Sequence, residues 1–272
     1  MYEAYWELQA RPFENCADLR YYYPSDVHQG ALLKLRYAVE NLRGAALLAG
    51  ESGSGKTLLI NALRKQLAER FRPFVHIVFP QMSPRELLAL LAHELGAATS
   101  PLAASLDETV ICLQRFLVEN AARGRHAVVA IDEAQLLIDS GALETMRLLL
   151  NFESLAQPGL TLILVGQPAL LPALGRMPDL EERLAVKCLL RPLTMEETVS
   201  YVTHRLTAAG ATREIFNLEA LTTLHQISRG NPRRINRHCD LALLIGFADE
   251  QAVIAPSQVE AVASELATAV SE

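Results

Sequence analysis

The sequence predicts an α/β chain: a three-layer core built on a parallel five-stranded sheet, followed by a small all-helical domain. Three observations predict it. Five short apolar runs alternate with longer segments of helical period, a glycine-rich loop joins the first run to a helix, and beyond residue 192 the strand signal stops. Strands that alternate with helices need crossover connections, and crossovers cover both faces of a parallel sheet.

The runs at 45–49, 74–79, 127–132, 161–166 and 186–190 are short, apolar or β-branched and bounded by turn residues, as buried strands are. Between them apolar residues recur at helical spacing over 28–43, 56–70, 84–96, 107–124 and 142–157. After Arg191-Pro192-Leu193, Thr194 and Glu197 have the spacing of a capping box and open a helix through Ala209. Helices over 217–228, 232–246 and 256–268 follow. The expected division is an amino-terminal segment, 1–27, a core, 28–191, and a helical lid, 192–272.

Composition sets bounds. With 272 residues, half of them hydrophobic and 21% charged, the chain can bury a large core and is not disordered. A net charge of −6 argues against bulk electrostatic binding of nucleic acid and leaves room only for a local basic patch. Cys16, Cys112, Cys188 and Cys239 have neither metal-ligand nor redox spacing, as expected of idle thiols in a reducing compartment. The first residues lack a basic start and apolar run, and no apolar stretch approaches the roughly 20 residues that cross a bilayer. A cytoplasmic chain with no direct membrane insertion is expected.

The chemistry concentrates in two places. Gly50-Glu51-Ser52-Gly53-Ser54-Gly55-Lys56-Thr57 fits G-x-x-x-x-G-K-[ST] and lies between an apolar strand and a helix. Glycines let the backbone wrap phosphate oxygens, and the helix presents its positive end to the same anion. Gly50 through Leu58 (Glu51, Ser52, Gly53, Ser54 and Gly55 among them) are the expected contacts of ATP, with Lys56 on the β- and γ-phosphates and Thr57 on Mg²⁺. The second place is the end of the run 127–132. Asp132 there would hold the water shell of the same Mg²⁺, which dehydrates reluctantly. Glu133 would orient the attacking water. Asp-Glu-Ala-Gln at 132–135 also occurs in helicases, but a single phosphate loop does not make their tandem motor.

Several short matches in order then resemble one family, the ExeA-type or general secretion pathway protein A ATPases with the related MshM, which are P-loop AAA+ proteins. They are Met1-Tyr2 with Arg11-Pro12-Phe13, Gly50-Glu51, 131–135, Leu164-Val165-Gly166-Gln167-Pro168, His204-Arg205-Leu206 with Ala209-Gly210, Pro232-Arg233 with Ile235-Asn236, and Cys239-Asp240. The resemblance runs from Pro12 to about residue 267. It implies that Gln167 is the first sensor near the γ-phosphate, that Arg233 is a second sensor on the lid, and that Arg183 is a finger acting on a neighbouring subunit's ATP. It also implies a homo-oligomer when nucleotide is bound, and nucleotide-driven assembly or remodelling of a protein partner in membrane-associated export machinery, of the secretion, pilus or exopolysaccharide kind. The segment 179–183 is less basic than the family's, and Leu136, Ala169 and Arg234 replace a usual Asn, Glu and Leu. Secretion-type members continue into a transmembrane helix and a peptidoglycan-binding domain. Neither is in this sequence, and cell-wall binding is not carried over.

Two weaker features stand beside these. Pro12-Phe13 and Tyr21-Tyr22-Tyr23-Pro24 are candidates to wall the adenine, with the amino-terminal segment packing on the nucleotide site, although aromatic residues serve more often as core. Arg229, Arg233, Arg234, Arg237 and His238 form a cationic cluster. It supports an alternative, a DNA-binding ATPase of the transposition-regulator type. A small-molecule kinase with the same loop is disfavoured by Glu133 and the helical domain.

Overall fold

Every pairing in the main sheet is parallel, as the alternation requires. The computed structural model describes residues 1–97, 105–154 and 157–268. The sheet contains β1 (Ala45–Gly50), β2 (Phe74–Ile77), β3 (Ala127–Ile131), β4 (Leu160–Gly166) and β5 (Leu184–Leu190), in the order β2-β3-β4-β1-β5. The register sets Ile77 beside Ile131, Ile131 beside Leu164, and Ala49 beside Gly166 and Leu189. All five carboxyl ends therefore leave the sheet along one edge, where ligands of open α/β sheets bind.

Two compact units divide the chain, residues 27–51 with 59–190 and residues 1–26 with 52–58 and 191–272. In the first, α1 (Asp26–Glu40), α2 (Lys56–Gln66), α3 (Pro84–Leu95), α4 (Leu106–Ala122) and α5 (Ala142–Leu149) flank the strands. Alternate strand residues feed one core: Leu47, Val75, Ile77, Val129, Ile131, Leu162 and Leu164 pack with Leu87 and Leu91 of α3, Leu113 and Leu117 of α4, and Met146 of α5. Their neighbours Leu48, Val128, Ile163 and Val165 are just as buried on the opposite face. Ser83 and Ser105 cap α3 and α4 in full capping boxes with Glu86 and Glu108. Gly96 closes α3 in the left-handed conformation, φ 80°.

Boundaries moved where local chemistry overrode periodicity. β2 stops at Ile77 because Val78 and Phe79 lie beyond the sheet, 62% and 64% exposed, and Pro80 has no N–H to pair. The helix expected over 142–157 ends at Leu149. A two-residue antiparallel ribbon, Glu153–Ser154 with Gln157–Pro158, follows it, and residues 155–156 lie outside the described residues. Short helices α6 (Leu170–Leu174) and α7 (Pro178–Glu181), and a one-turn 3₁₀ helix over Ala134–Leu137, had no periodicity long enough to see.

The second unit is helical: α8 (Met195–Ala208), α9 (Leu218–Ser228), α10 (Pro232–Ala248) and α11 (Pro256–Thr268). Thr194 and Glu197 form the expected capping box of α8. Residues 1–26 complete this unit's core. Trp6 is fully buried and donates its Nε1–H to the Leu243 carbonyl at 3.0 Å. A Cβ at Gly246 would lie 2.3 Å from Ile254 Cδ1 and 3.0 Å from Trp6 Cζ2, so Ile254 and the indole together fill the space beside this glycine.

At the centre of that core is an arginine. Arg205, 3% exposed, donates to the carbonyls of Pro12 (2.5 Å) and Glu14 (2.9 Å) and to the Tyr201 hydroxyl (2.8 Å). Its guanidinium lies 4.7, 5.7 and 6.0 Å from the rings of Tyr21, Tyr201 and Phe13. Phe13 and Tyr21 thus serve the helical core around this cation. Among the described residues the four cysteines are free thiols, and no helix is long and apolar enough to cross a membrane.

Candidate functional site

The expected site residues fall into two sets, one in each unit. On the sheet, Gly50 ends β1 and Glu51 follows it. Asp132 follows β3, 5% exposed, and its N–H extends the ladder to the Ile77 carbonyl at 2.8 Å. One carboxylate oxygen accepts the Glu133 N–H at 3.0 Å, and the other lies 3.6 Å from His76 Nε2 on β2. A buried carboxylate at a strand's carboxyl end is the hard oxygen donor that Mg²⁺ prefers.

Glu133 holds a left-handed backbone, φ 50° and ψ 37°, which costs a non-glycine residue roughly 1–2 kcal/mol. That turn starts the 3₁₀ helix Ala134–Leu137 and brings Gln135 back over the strand ends. Gln135 Nε2 donates to the Glu133 carboxylate, and its Oε1 accepts the N–H of Gln167 at 3.0 Å. Gln167 directly follows β4, so a single side chain ties together the loops after β3 and β4. Sequence reading singled out Glu133 and Gln167 but gave Gln135 no role. The adjacency of β3 and β4 was the missing signal.

Arg183 lies just before β5, partly buried. Its guanidinium donates to the Leu150 carbonyl at 3.0 Å and to Asn151 Oδ1 at 2.6 Å, which fixes it on the segment after α5.

Ser52–Leu58, expected to cradle phosphate, belong to the other unit. Gly53 and Gly55 have φ of 81° and 92°, values that glycine alone adopts without strain. Lys56 opens α2 and is buried, whereas Thr57 beside it is exposed. No acidic residue occupies the first turn of α2, so nothing there opposes an anion at its positive end. The first turn of α10 backs this loop. Asn231 Nδ2 donates to the Ser52 carbonyl at 2.9 Å, and the Arg233 N–H donates to the Gly53 carbonyl at 3.3 Å. Arg233 Nη1 reaches Ser52 Oγ at 3.0 Å. Asn231 also caps α10 by accepting the N–H groups of Arg233 and Arg234, a second residue that sequence reading passed over.

The cationic cluster is smaller than expected. Arg229, Arg234 and Arg237 are exposed, but His238 turns inward, 8% exposed, with Nδ1 2.8 Å from the Arg234 carbonyl. One helical turn separates the two residues, so the ring satisfies itself on its own helix.

Among the described residues no three His, Cys, Asp or Glu side chains come together as a metal cage.

Comparisons with known proteins agree with this architecture. A family model described as an AAA domain matches residues 39–174. General secretion pathway protein A of Aeromonas hydrophila is 36% identical over 250 residues, 91% of this chain. The chain spans 45% of that relative's length. Among solved structures, the ORC2 protein of Aeropyrum pernix in its ADPNP–ADP complexes has a TM-score of 0.70 at 18% identity, over 94% of this chain and 72% of its own. Drosophila ORC bound to DNA has a TM-score of 0.69 at 18% identity, over 97% and 65%. The Thermotoga maritima RuvB Holliday junction branch migration motor has 0.61 at 18%, over 89% and 68%. At these identities the structural likenesses speak for the fold.

Proposed function

Since the chain belongs to the AAA domain family, we propose that it is a cytoplasmic ATPase that binds ATP with Mg²⁺ and hydrolyses it. The observation that carries this reading is the left-handed Glu133 beside buried Asp132 on the sheet's carboxyl edge, the edge where β1 runs into the Gly50–Thr57 loop. Backbone N–H groups of Gly53, Ser54 and Gly55 cradle the phosphates, and Lys56 neutralises the β- and γ-oxygens. Thr57 would ligate Mg²⁺ and Asp132 would hold its water shell, and the ion would screen charge on the phosphates. Glu133 takes the proton of the attacking water, Gln167 orients the γ-phosphate, and Arg233 reads nucleotide state from the lid. In this reading 28–191 is the ATPase core and 192–272 the lid. Arg183 serves a neighbouring subunit after leaving Leu150 and Asn151, in a homo-oligomer formed with ATP. The relative's name supports coupling to a secretion assembly as the partner.

Two variants test the chemistry. Lys56→Ala is expected to weaken ATP binding at least tenfold. Glu133→Gln is expected to keep binding and lose turnover by on the order of 10²-fold or more. Unchanged affinity in the first or normal hydrolysis in the second would refute the assignment.

A second reading, contact with DNA, is favoured by the exposed guanidinium groups of Arg229, Arg234 and Arg237. It expects ATP-dependent duplex binding that weakens steeply with salt, and no binding at low salt removes it.

A further inference from the structure

The structure assigns Gln135 a part in hydrolysis: we propose that it is a positioning residue, holding one oxygen of the Glu133 carboxylate so that the other takes the proton of the attacking water. This rests on Glu133 as the base.

Both ends of the Gln135 amide are committed. The Gln167 N–H can only donate, so the atom it meets at 3.0 Å must be Oε1. That fixes the orientation of the amide, and Nε2 is then the atom turned to Glu133 Oε2. Oε2 accepts this bond, which assigns Oε1 of Glu133 to the water.

The surroundings are built for this side chain. A Cβ at Gly166 would lie 2.7 Å from Gln135 Oε1 and 3.4 Å from the Gln135 N–H nitrogen. Gly166 lies in the strand, and the space beside it is filled by the Gln135 amide and by Leu170, whose Cδ2 a Cβ would meet at 3.2 Å. On the other side, the left-handed turn at Glu133 is what lets a residue two positions later reach back to it. Strained backbone of this kind persists where the surroundings over-determine it. Here the Asp132 carboxylate holds the Glu133 N–H and Gln135 holds the Glu133 carboxylate.

The consequence is coupling between two loops. Gln167, placed by the proposed reading near the γ-phosphate, moves the Gln135 amide through its backbone N–H, and the amide moves the base. Displacing a reacting group by about 1 Å costs on the order of 10²-fold in rate, so a small shift after β4 is enough to gate hydrolysis.

Gln135→Glu and Gln135→Met separate the two bonds. The glutamate keeps an acceptor for Gln167 and sets a second anion against Glu133; the methionine keeps the volume and loses both bonds. In the full chain with Mg²⁺, three quantities are compared: affinity for a fluorescent ATP analogue, kcat and KM for phosphate release, and amide exchange at Gln167. Gln135→Glu is expected to hold affinity within about threefold and Gln167 protection at the wild-type level, while kcat falls roughly 10- to 100-fold. Gln135→Met is expected to lose kcat similarly and to speed Gln167 exchange. A Gln135→Glu kcat within threefold of wild type, or a loss that appears in affinity instead, overturns the proposal. Glu133→Gln run in parallel separates the failures: normal turnover there sinks the base itself, whereas a dead Glu133→Gln beside an active Gln135→Glu sinks only the role of Gln135.

Discussion

Replacing Arg205 by methionine tests whether a buried cation holds the amino-terminal segment to α8. Methionine matches the length of the arginine stem and removes every N–H. Two backbone carbonyls then lose their donor, that of Pro12 buried with Arg205, which was 3% exposed, and that of exposed Glu14 only part-buried. An orphaned buried carbonyl costs roughly 1–3 kcal/mol. The Tyr201 hydroxyl loses an incoming donor but keeps its own bond to Asn236 Oδ1 at 2.8 Å, a smaller loss. Three ring contacts, at 4.7 to 6.0 Å, each forfeit about 0.5–2 kcal/mol of cation–π attraction. Against these, the variant no longer has to strip water from a guanidinium, which returns several kcal/mol. The net expectation is a loss of about 3 kcal/mol. At roughly 2–4 °C per kcal/mol for a domain of this size, Tm should fall by about 6–12 °C. Urea and thermal unfolding measure the loss, and limited proteolysis within residues 1–26 locates it. Arg205→Lys should recover only part, because an ammonium cannot reach both carbonyls with the geometry of a guanidinium. A methionine variant within about 0.5 kcal/mol of wild type, its first 26 residues still protected, would refute the reasoning.

His126 gives a pH dependence with a defined sign. Burial holds its pKa at about 4, below the ordinary 6.5, so the unfolded chain takes up a proton between those values and the folded chain does not. Its contribution is intact above pH 6.5 and lost as pH falls toward 4, about 3 kcal/mol in all. His126→Gln, which keeps a donor for Thr161 Oγ1, should flatten that window in urea titrations at stepped pH, and an unchanged slope would count against it. Gly53→Ala should weaken ATP binding more than tenfold, since its Cβ would lie 2.4 Å from Arg233 Cβ at a φ of 81° that costs alanine roughly 1–2 kcal/mol. Wild-type affinity for a labelled nucleotide would contradict the contact between this loop and α10.

What the sequence made legible was local. The loop proposed to hold phosphate stands out in eight consecutive residues, because the wrapping of one backbone segment would fix its glycine, lysine and hydroxyl positions. The position of Asp132 and Glu133 was legible for a related reason, as two acids at the end of a run apolar enough for a central strand. The capping box of Thr194 and Glu197 also closed as its spacing required.

The features that escaped all depend on which distant segments become neighbours. Phe13 and Tyr21 read as candidates to wall an adenine, yet they surround Arg205 nearly 200 positions away, and no spacing in the sequence announces that a cation will be buried among rings. His238 looked like part of a charged run, but i to i+4 geometry turns its ring onto the Arg234 carbonyl. Gln135 is the sharpest case. Its identity was visible in Asp-Glu-Ala-Gln, and its partner Glu133 is two residues away, yet its role depends on the Gln167 N–H, 32 positions on. That N–H arrives only because Ile131 pairs with Leu164 in adjacent parallel strands. Pairing across the sheet is a property of topology, so residues that bridge strand ends are invisible to motif reading even when they sit inside the motif. The glycine at 166 belongs to the same logic. Its backbone needs no special freedom, and the space beside it is taken by the Gln135 amide and the Leu170 side chain.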